Sequence, residues 1–212
     1  MTDHITGGGM RRILRTTGLM GVSSLVVILC AIVRTKIIAV EAGPTGVGLL
    51  GLLAAMLAVI VTIAGAGLGT SGVRSVAAAV ATGDEHEVTV NRRALTVACS
   101  VLGVAAALLV VALAPVIAEA VLREPELTFE VRLLGLAVLA TVAASAPTAS
   151  LNGFRRIRAL STIGPLGALA GTAAVGVAAA VRGDVVMAAI LAPPVATLLV
   201  ALWYARRLPP YR

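Results

Sequence analysis

The sequence predicts an all-α membrane protein, six transmembrane helices forming one bundle. Three observations predict it. Hydrophobic residues make up 59% of the chain and charged residues 13%, with a mean hydropathy of +1.03, whereas soluble domains are about one quarter charged. The apolar residues fall in runs of membrane length, roughly 20 residues or more. The charges collect in short stretches between those runs, with the basic ones strongly biased to alternate stretches.

Taken in order, residues 1–10 (MTDHITGGGM) form a short polar tail, and residues 11–207 form the bundle. Helix 1 is expected at 12–40. Arg11, Arg12 and Arg15 precede an apolar run, which resembles a signal peptide. The run is longer than such a region, however, and leads into Arg34 and Lys36 instead of a small-residue cleavage site, so an uncleaved first membrane helix is expected. The turn Gly43-Pro44-Thr45-Gly46 ends it.

Helix 2 is expected at 46–81, because no charge occurs from Ala42 to Val73. A hydrophilic loop spans Thr82–Arg93. Helix 3 is expected at 94–118, charge-free and with Pro115 near its end. An acidic loop carrying Glu119, Glu124, Glu126 and Glu130 follows. Helix 4 is expected at 133–151, helix 5 at 160–181 and helix 6 at 185–204, with a turn at Arg182-Gly183-Asp184 and a tail at 208–212.

Six spans return the chain to the side on which it began. Arg11, Arg12, Arg15, Arg74, Arg92, Arg93, Arg155, Arg156, Arg158, Arg206, Arg207 and Arg212 all fall on that side. Only Arg123, Arg132 and Arg182 fall on the other, with six of the ten acidic residues. The positive-inside rule then places both termini in the cytoplasm and the chain in the cytoplasmic membrane. It also accounts for the net charge of +7 and pI near 11.0. With aromatics at 2%, no stacking surface for nucleic acid is visible.

Gly65 and Gly69 in helix 2, and Gly164, Gly167 and Gly171 in helix 5, are spaced to let helices approach closely in lipid. Pro147, Pro193 and Pro194 are tolerated where neighbours re-satisfy the freed carbonyls. Packing is a sufficient reading of each.

No catalytic constellation is present: no Ser/His/Asp set, no HExxH and no phosphate-binding glycine loop. Cys30 and Cys99 lie in apolar spans, as packing thiols do. Neither metal nor cofactor is expected. The chain reads as a non-enzyme.

Arg34 and Lys36 are the only charges embedded in the apolar runs. A cation there is costly and suggests a functional site. Together they suit an anionic ligand such as a phosphate or diphosphate. Counting from Val40, they lie about 9 and about 6 Å from the helix end, so both side chains are able to snorkel to the interface. Two residues apart, they point about 200° apart, so both cannot face one cavity equally well. Lys36 is the preferred contact. Arg74 and Arg155 are further candidates for lipid phosphates, although topology alone accounts for them. No Asp or Glu lies within the spans, which counts against a proton-coupled exporter of cations.

Several segments in combination carry a family likeness: Lys36-Ile37-Ile38-Ala39-Val40 before Gly43-Pro44-Thr45-Gly46-Val47-Gly48-Leu49, then Ala64-Gly65-Ala66-Gly67-Leu68-Gly69-Thr70-Ser71-Gly72-Val73-Arg74, then Leu151-Asn152-Gly153-Phe154-Arg155-Arg156. Over about Arg12 to Arg207 the chain resembles the N-terminal half of Wzx-type O-antigen and polysaccharide flippases, relatives of the MATE multidrug exporters and the lipid II flippase. The resemblance implies half of a two-lobe MOP/MATE-like transporter. It would move an undecaprenyl-diphosphate-linked oligosaccharide to the outer leaflet by alternating access through a basic cavity. Such transporters have about twelve helices or more, so the resemblance implies a partner: a second six-helix half or a homodimer, besides membrane lipids. Two other readings stay open, a non-transporting scaffold or remnant subunit of cell-envelope assembly and a MATE-type exporter.

Overall fold

The computed structural model describes residues 6–65, 68–82, 85–154, 157–181 and 183–207. Among them seven α-helices follow one another, with no strand: α1 (Thr6–Glu41), α2 (Gly43–Gly65), α3 (Leu68–Thr82), α4 (Glu85–Ile117), α5 (Thr128–Gly153), α6 (Ile157–Ala180) and α7 (Val185–Arg206). All but α3 are long and apolar enough to cross a membrane. The chain is therefore a six-span helical membrane bundle with one additional short helix.

The boundaries depart from the sequence expectation in several places; α1, for one, begins at Thr6, within the expected polar tail 1–10. The run expected as one helix over 46–81 is described as two, α2 and α3, with residues 66 and 67 between them outside the described residues. Hydropathy registers apolar composition, which both segments share, and does not see where one axis ends. α4 begins at Glu85, so most of the expected loop Thr82–Arg93 is helical. Glu87 near its N-terminus complements the helix dipole, and Asn91 Nδ2 donates to the Glu87 carbonyl at 2.9 Å. The expected acidic loop after helix 3 is mostly ordered: a π-helical turn Ala118–Leu122, a 3-10 turn Pro125–Leu127 and the start of α5. Pro115 withholds an N–H from the turn before it, and the chain leaves the π turn through Arg123, whose φ of 56° is left-handed.

The expected turn Gly43-Pro44-Thr45-Gly46 is instead the first turn of α2, and the chain reverses one residue earlier, at Ala42. Gly43 has φ of +65°, a conformation that glycine adopts without steric cost, and Pro44 follows at the start of α2. A side chain at Gly46 would collide with the methyl of Ala42. At the other end of the bundle, Asp184 accepts from the Val186 and Met187 N–H groups at 3.0 Å each, capping α7.

α5 is the axis of the bundle: 44% of its membrane-length stretch is buried against other helices, against 6% for α2 and 11% for α1. It packs on α4, α7, α3 and α2. α1 packs chiefly on α6, and α6 on α7. Towards the α1–α2 turn the core is built from Ile38, Leu53, Leu134, Val175 and Ile190. Nearer the chain termini it is built from Val76, Leu95 and Cys99 on one side of α5, and from Leu151, Ile163 and Ala201 on the other. The bundle thus has a well-packed spine, α4-α5-α7-α6, and two helices with most of their surface uncovered.

Candidate cation site on the first helix

Arg34 lies on the stripe of α1 that faces the bundle. Cys30 and Ile38, four residues to either side, are both buried. Ile38 enters the core with Leu53 and Val175. The stripe is held against α6 by a cross-helix hydrogen bond, Thr172 Oγ1 donating to the Cys30 carbonyl at 3.2 Å. The same hydroxyl lies 2.9 Å from the Ala168 carbonyl on its own helix.

Arg34 is half-buried, and its Nε is enclosed with no hydrogen-bond partner. Among the described residues no carboxylate pairs with it. A guanidinium normally spends its donors on acceptors, and an enclosed donor without one is unfavourable by about 1–3 kcal/mol. Such a group is suited to a ligand that supplies oxygens in the plane of the fork, as phosphates do.

Lys36 is exposed. It borders an open groove of about 490 Å³ made by α1 alone, with Ile28, Ala31, Ile32, Thr35 and Ala39. The two cations therefore occupy different faces of one helix, as their spacing requires. Arg74 is exposed on α3, which packs on α5 and α4 and not on α1, so it is not gathered with them. Arg155 lies outside the described residues.

A second basic group escaped sequence reading. Arg92 and Arg206 share a cleft of about 430 Å³ between α4, α5 and α7, with Thr96, Ser100 and Ser150. Arg92 stacks over the Phe154 ring at 5.7 Å. The two arginines sit on the fourth and the last helix, far apart in sequence, and only the fold shows that they meet. The repeat Arg92, Thr96, Ser100 along one face of α4 was the available signal.

Among the described residues no cluster of His, Cys, Asp and Glu is suited to a metal ion, and Cys30 and Cys99 are both free thiols.

Comparison with curated proteins and with solved structures gives no match. The family model described as polysaccharide biosynthesis protein matches residues 13–208, nearly the whole chain and all six spans. With six membrane-crossing helices and a family match over nearly its whole length, the chain belongs to the polysaccharide biosynthesis protein family.

Proposed function

We propose that the chain is half of a Wzx-type flippase, moving an undecaprenyl-diphosphate-linked oligosaccharide across the cytoplasmic membrane, both termini cytoplasmic. The observation that carries this reading is the enclosed Nε of Arg34, without a partner among the described residues, on a helix that is otherwise largely uncovered. The reading gives Arg34 the diphosphate as its missing acceptor. Lys36, about 200° further round the helix, attracts the anionic headgroup towards α1 through the open groove beside it. Two positive charges on one helix suit a diphosphate better than a neutral or cationic cargo.

The uncovered faces of α1 and α2 also support a second bundle. Two hydroxyls on those faces are satisfied within their own helices, Ser24 to the Met20 carbonyl and Thr62 to the Ala58 carbonyl, so lipid is tolerated beside them. Lys36 is different, and a facing six-helix half, from another chain or a second copy, would turn its groove into a cavity wall. Alternating access then follows from rocking one bundle against the other.

The test is flipping of a lipid-linked oligosaccharide diphosphate in proteoliposomes containing the chain with its partner half. Arg34→Met and Lys36→Ala should lower the rate, Arg34→Met more, and Arg34→Lys and Lys36→Arg should restore part of it. Wild-type flipping by both neutral variants removes the cations from the mechanism and leaves the scaffold reading.

A further inference from the structure

α4 and α7 both pack on α5 but make few or no contacts with each other. The gap between them, floored by α5, is the cleft of about 430 Å³. The stripes that line it run in parallel. On α4, Arg92 leads to Thr96 and Ser100; on α7, Arg206 leads to Leu202 and Leu198. Eight residues of helix separate each end of these stripes, about 12 Å at 1.5 Å per residue. One end of the cleft is therefore doubly cationic, and its α7 wall becomes apolar further in.

From this geometry we infer that the cleft binds an anionic glycerophospholipid of the leaflet on the side of the termini. Arg92 and Arg206 hold the phosphate, and the first acyl carbons run along Leu202 and Leu198.

Four features favour this occupant. Neither arginine has a carboxylate partner among the described residues, and two like charges at one mouth are relieved by a shared anion. Arg92 is held in place by the Phe154 ring. The neighbouring Arg207 is instead taken up by Trp203, 3.8 Å from the ring centre, which leaves Arg206 as the α7 residue at the mouth. The wall is equipped for a polar headgroup as well as for its phosphate. Ser100 has no hydrogen-bond partner among the described residues, and Pro147 has no N–H to offer the Ala143 carbonyl one turn before it; both line the cleft. A headgroup with hydroxyls, such as phosphatidylglycerol, meets both. The apolar continuation of the cleft distinguishes a lipid from a soluble phosphate, which would gain nothing from Leu198 and Leu202.

This site lies on α4, α5 and α7, away from Arg34 and Lys36, and stands or falls independently of the flippase reading. It is tested on the purified full chain in a neutral detergent by lipid-dependent thermal stabilisation. Phosphatidylglycerol should raise the melting temperature, and phosphatidylcholine and soluble glycerol phosphate should not. The double variant Arg92→Gln/Arg206→Gln should weaken the phosphatidylglycerol affinity about 10- to 30-fold, as expected for two basic residues at an anionic surface. Arg92→Lys/Arg206→Lys should retain most of it, and Arg132→Gln, at the other end of the bundle, should change nothing. If the double Gln variant does not fold, Leu198→Trp, which fills the cleft from its apolar wall, should abolish the shift. Equal stabilisation by glycerol phosphate overturns the lipid assignment. Wild-type affinity in the double Gln variant or in Leu198→Trp, or an equal loss in Arg132→Gln, overturns the site.

Discussion

Pro193 of α7 lies directly on the backbone of Gly171 in α6: a Cβ added at Gly171 would sit 3.0 Å from the Pro193 α-carbon. One turn away Gly167 meets Thr197 in the same manner. The α6–α7 seam thus depends on two glycines, and in lipid such close packing is what holds helices together, because no hydrophobic force drives one apolar helix onto another. Pro193 is accommodated at this seam with its ring against the bare face of α6.

Gly171→Leu should therefore push α6 from α7 and destabilise the protein by about 1–3 kcal/mol, the usual range for overpacking. Gly176, five residues on, has open space where a Cβ would go, and Gly176→Leu should be neutral or slightly stabilising. Thermal unfolding of the two variants in one detergent checks the pair. Equal melting temperatures would mean that the seam yields.

The cap of α7 gives a sharper local prediction. Asp184 satisfies two N–H groups at the start of a helix whose first turn, Val185–Met187, is buried. Asp184→Ala should cost about 1 kcal/mol, and Asp184→Asn, which keeps an oxygen acceptor, much less. The measurement is again the melting temperature, and an Ala variant as stable as wild type would show that α7 is held by its packing alone.

These sites mark how far the sequence was legible. Six spans could be read from charge-free runs because lipid excludes charge, and the glycines at 167 and 171 could be read as packing residues because small residues have few other uses in a membrane helix. Gly65, equally suggestive in sequence, faces open space. The start of α4 could not be read, because helix Glu85–Arg93 continues through polar residues beyond the hydrophobic run. Arg34 and Lys36 were conspicuous as charges in an apolar segment. Which of them turns inward was not, since α1 is apolar on every side and only the packing of Cys30 and Ile38 identifies its inner face. The Arg92–Arg206 cleft joins the middle of the chain to its end, and no local pattern predicts that meeting.

The inner face of α1 can be checked chemically. Cys30 is 8% exposed and Cys99 1%, the first against α6 and the second in the α3–α4–α5 core. A membrane-impermeant maleimide should label neither thiol in the folded protein and both after denaturation. Thr172→Val removes the hydrogen bond to the Cys30 carbonyl, a cross-helix bond of about 0.6 kcal/mol in membranes, and should raise the labelling rate of Cys30 and leave that of Cys99 unchanged. Rapid labelling of Cys30 in the wild type would place the stripe of Arg34 on the outside.

Arg34 itself carries the prediction in which stability and function part. Its enclosed Nε lacks an acceptor, so the folded protein bears a desolvation cost that no contact within the described residues offsets. Arg34→Met keeps the length and apolar stem of the side chain and removes the charge. It should raise stability by about 1 kcal/mol, less than the full cost of a buried unpaired donor because the side chain is only half-buried. The same variant should lose flipping activity. A residue kept for packing would show the opposite pattern, with lower stability and activity falling only in proportion. Arg34→Lys separates charge from shape: an ammonium on a flexible stem can leave the enclosed position but cannot grip two oxygens at once, so it should gain stability like Met while recovering part of the activity. The thermal shift and the flipping rate, measured on the same preparations, decide between a ligand-holding arginine and a structural one.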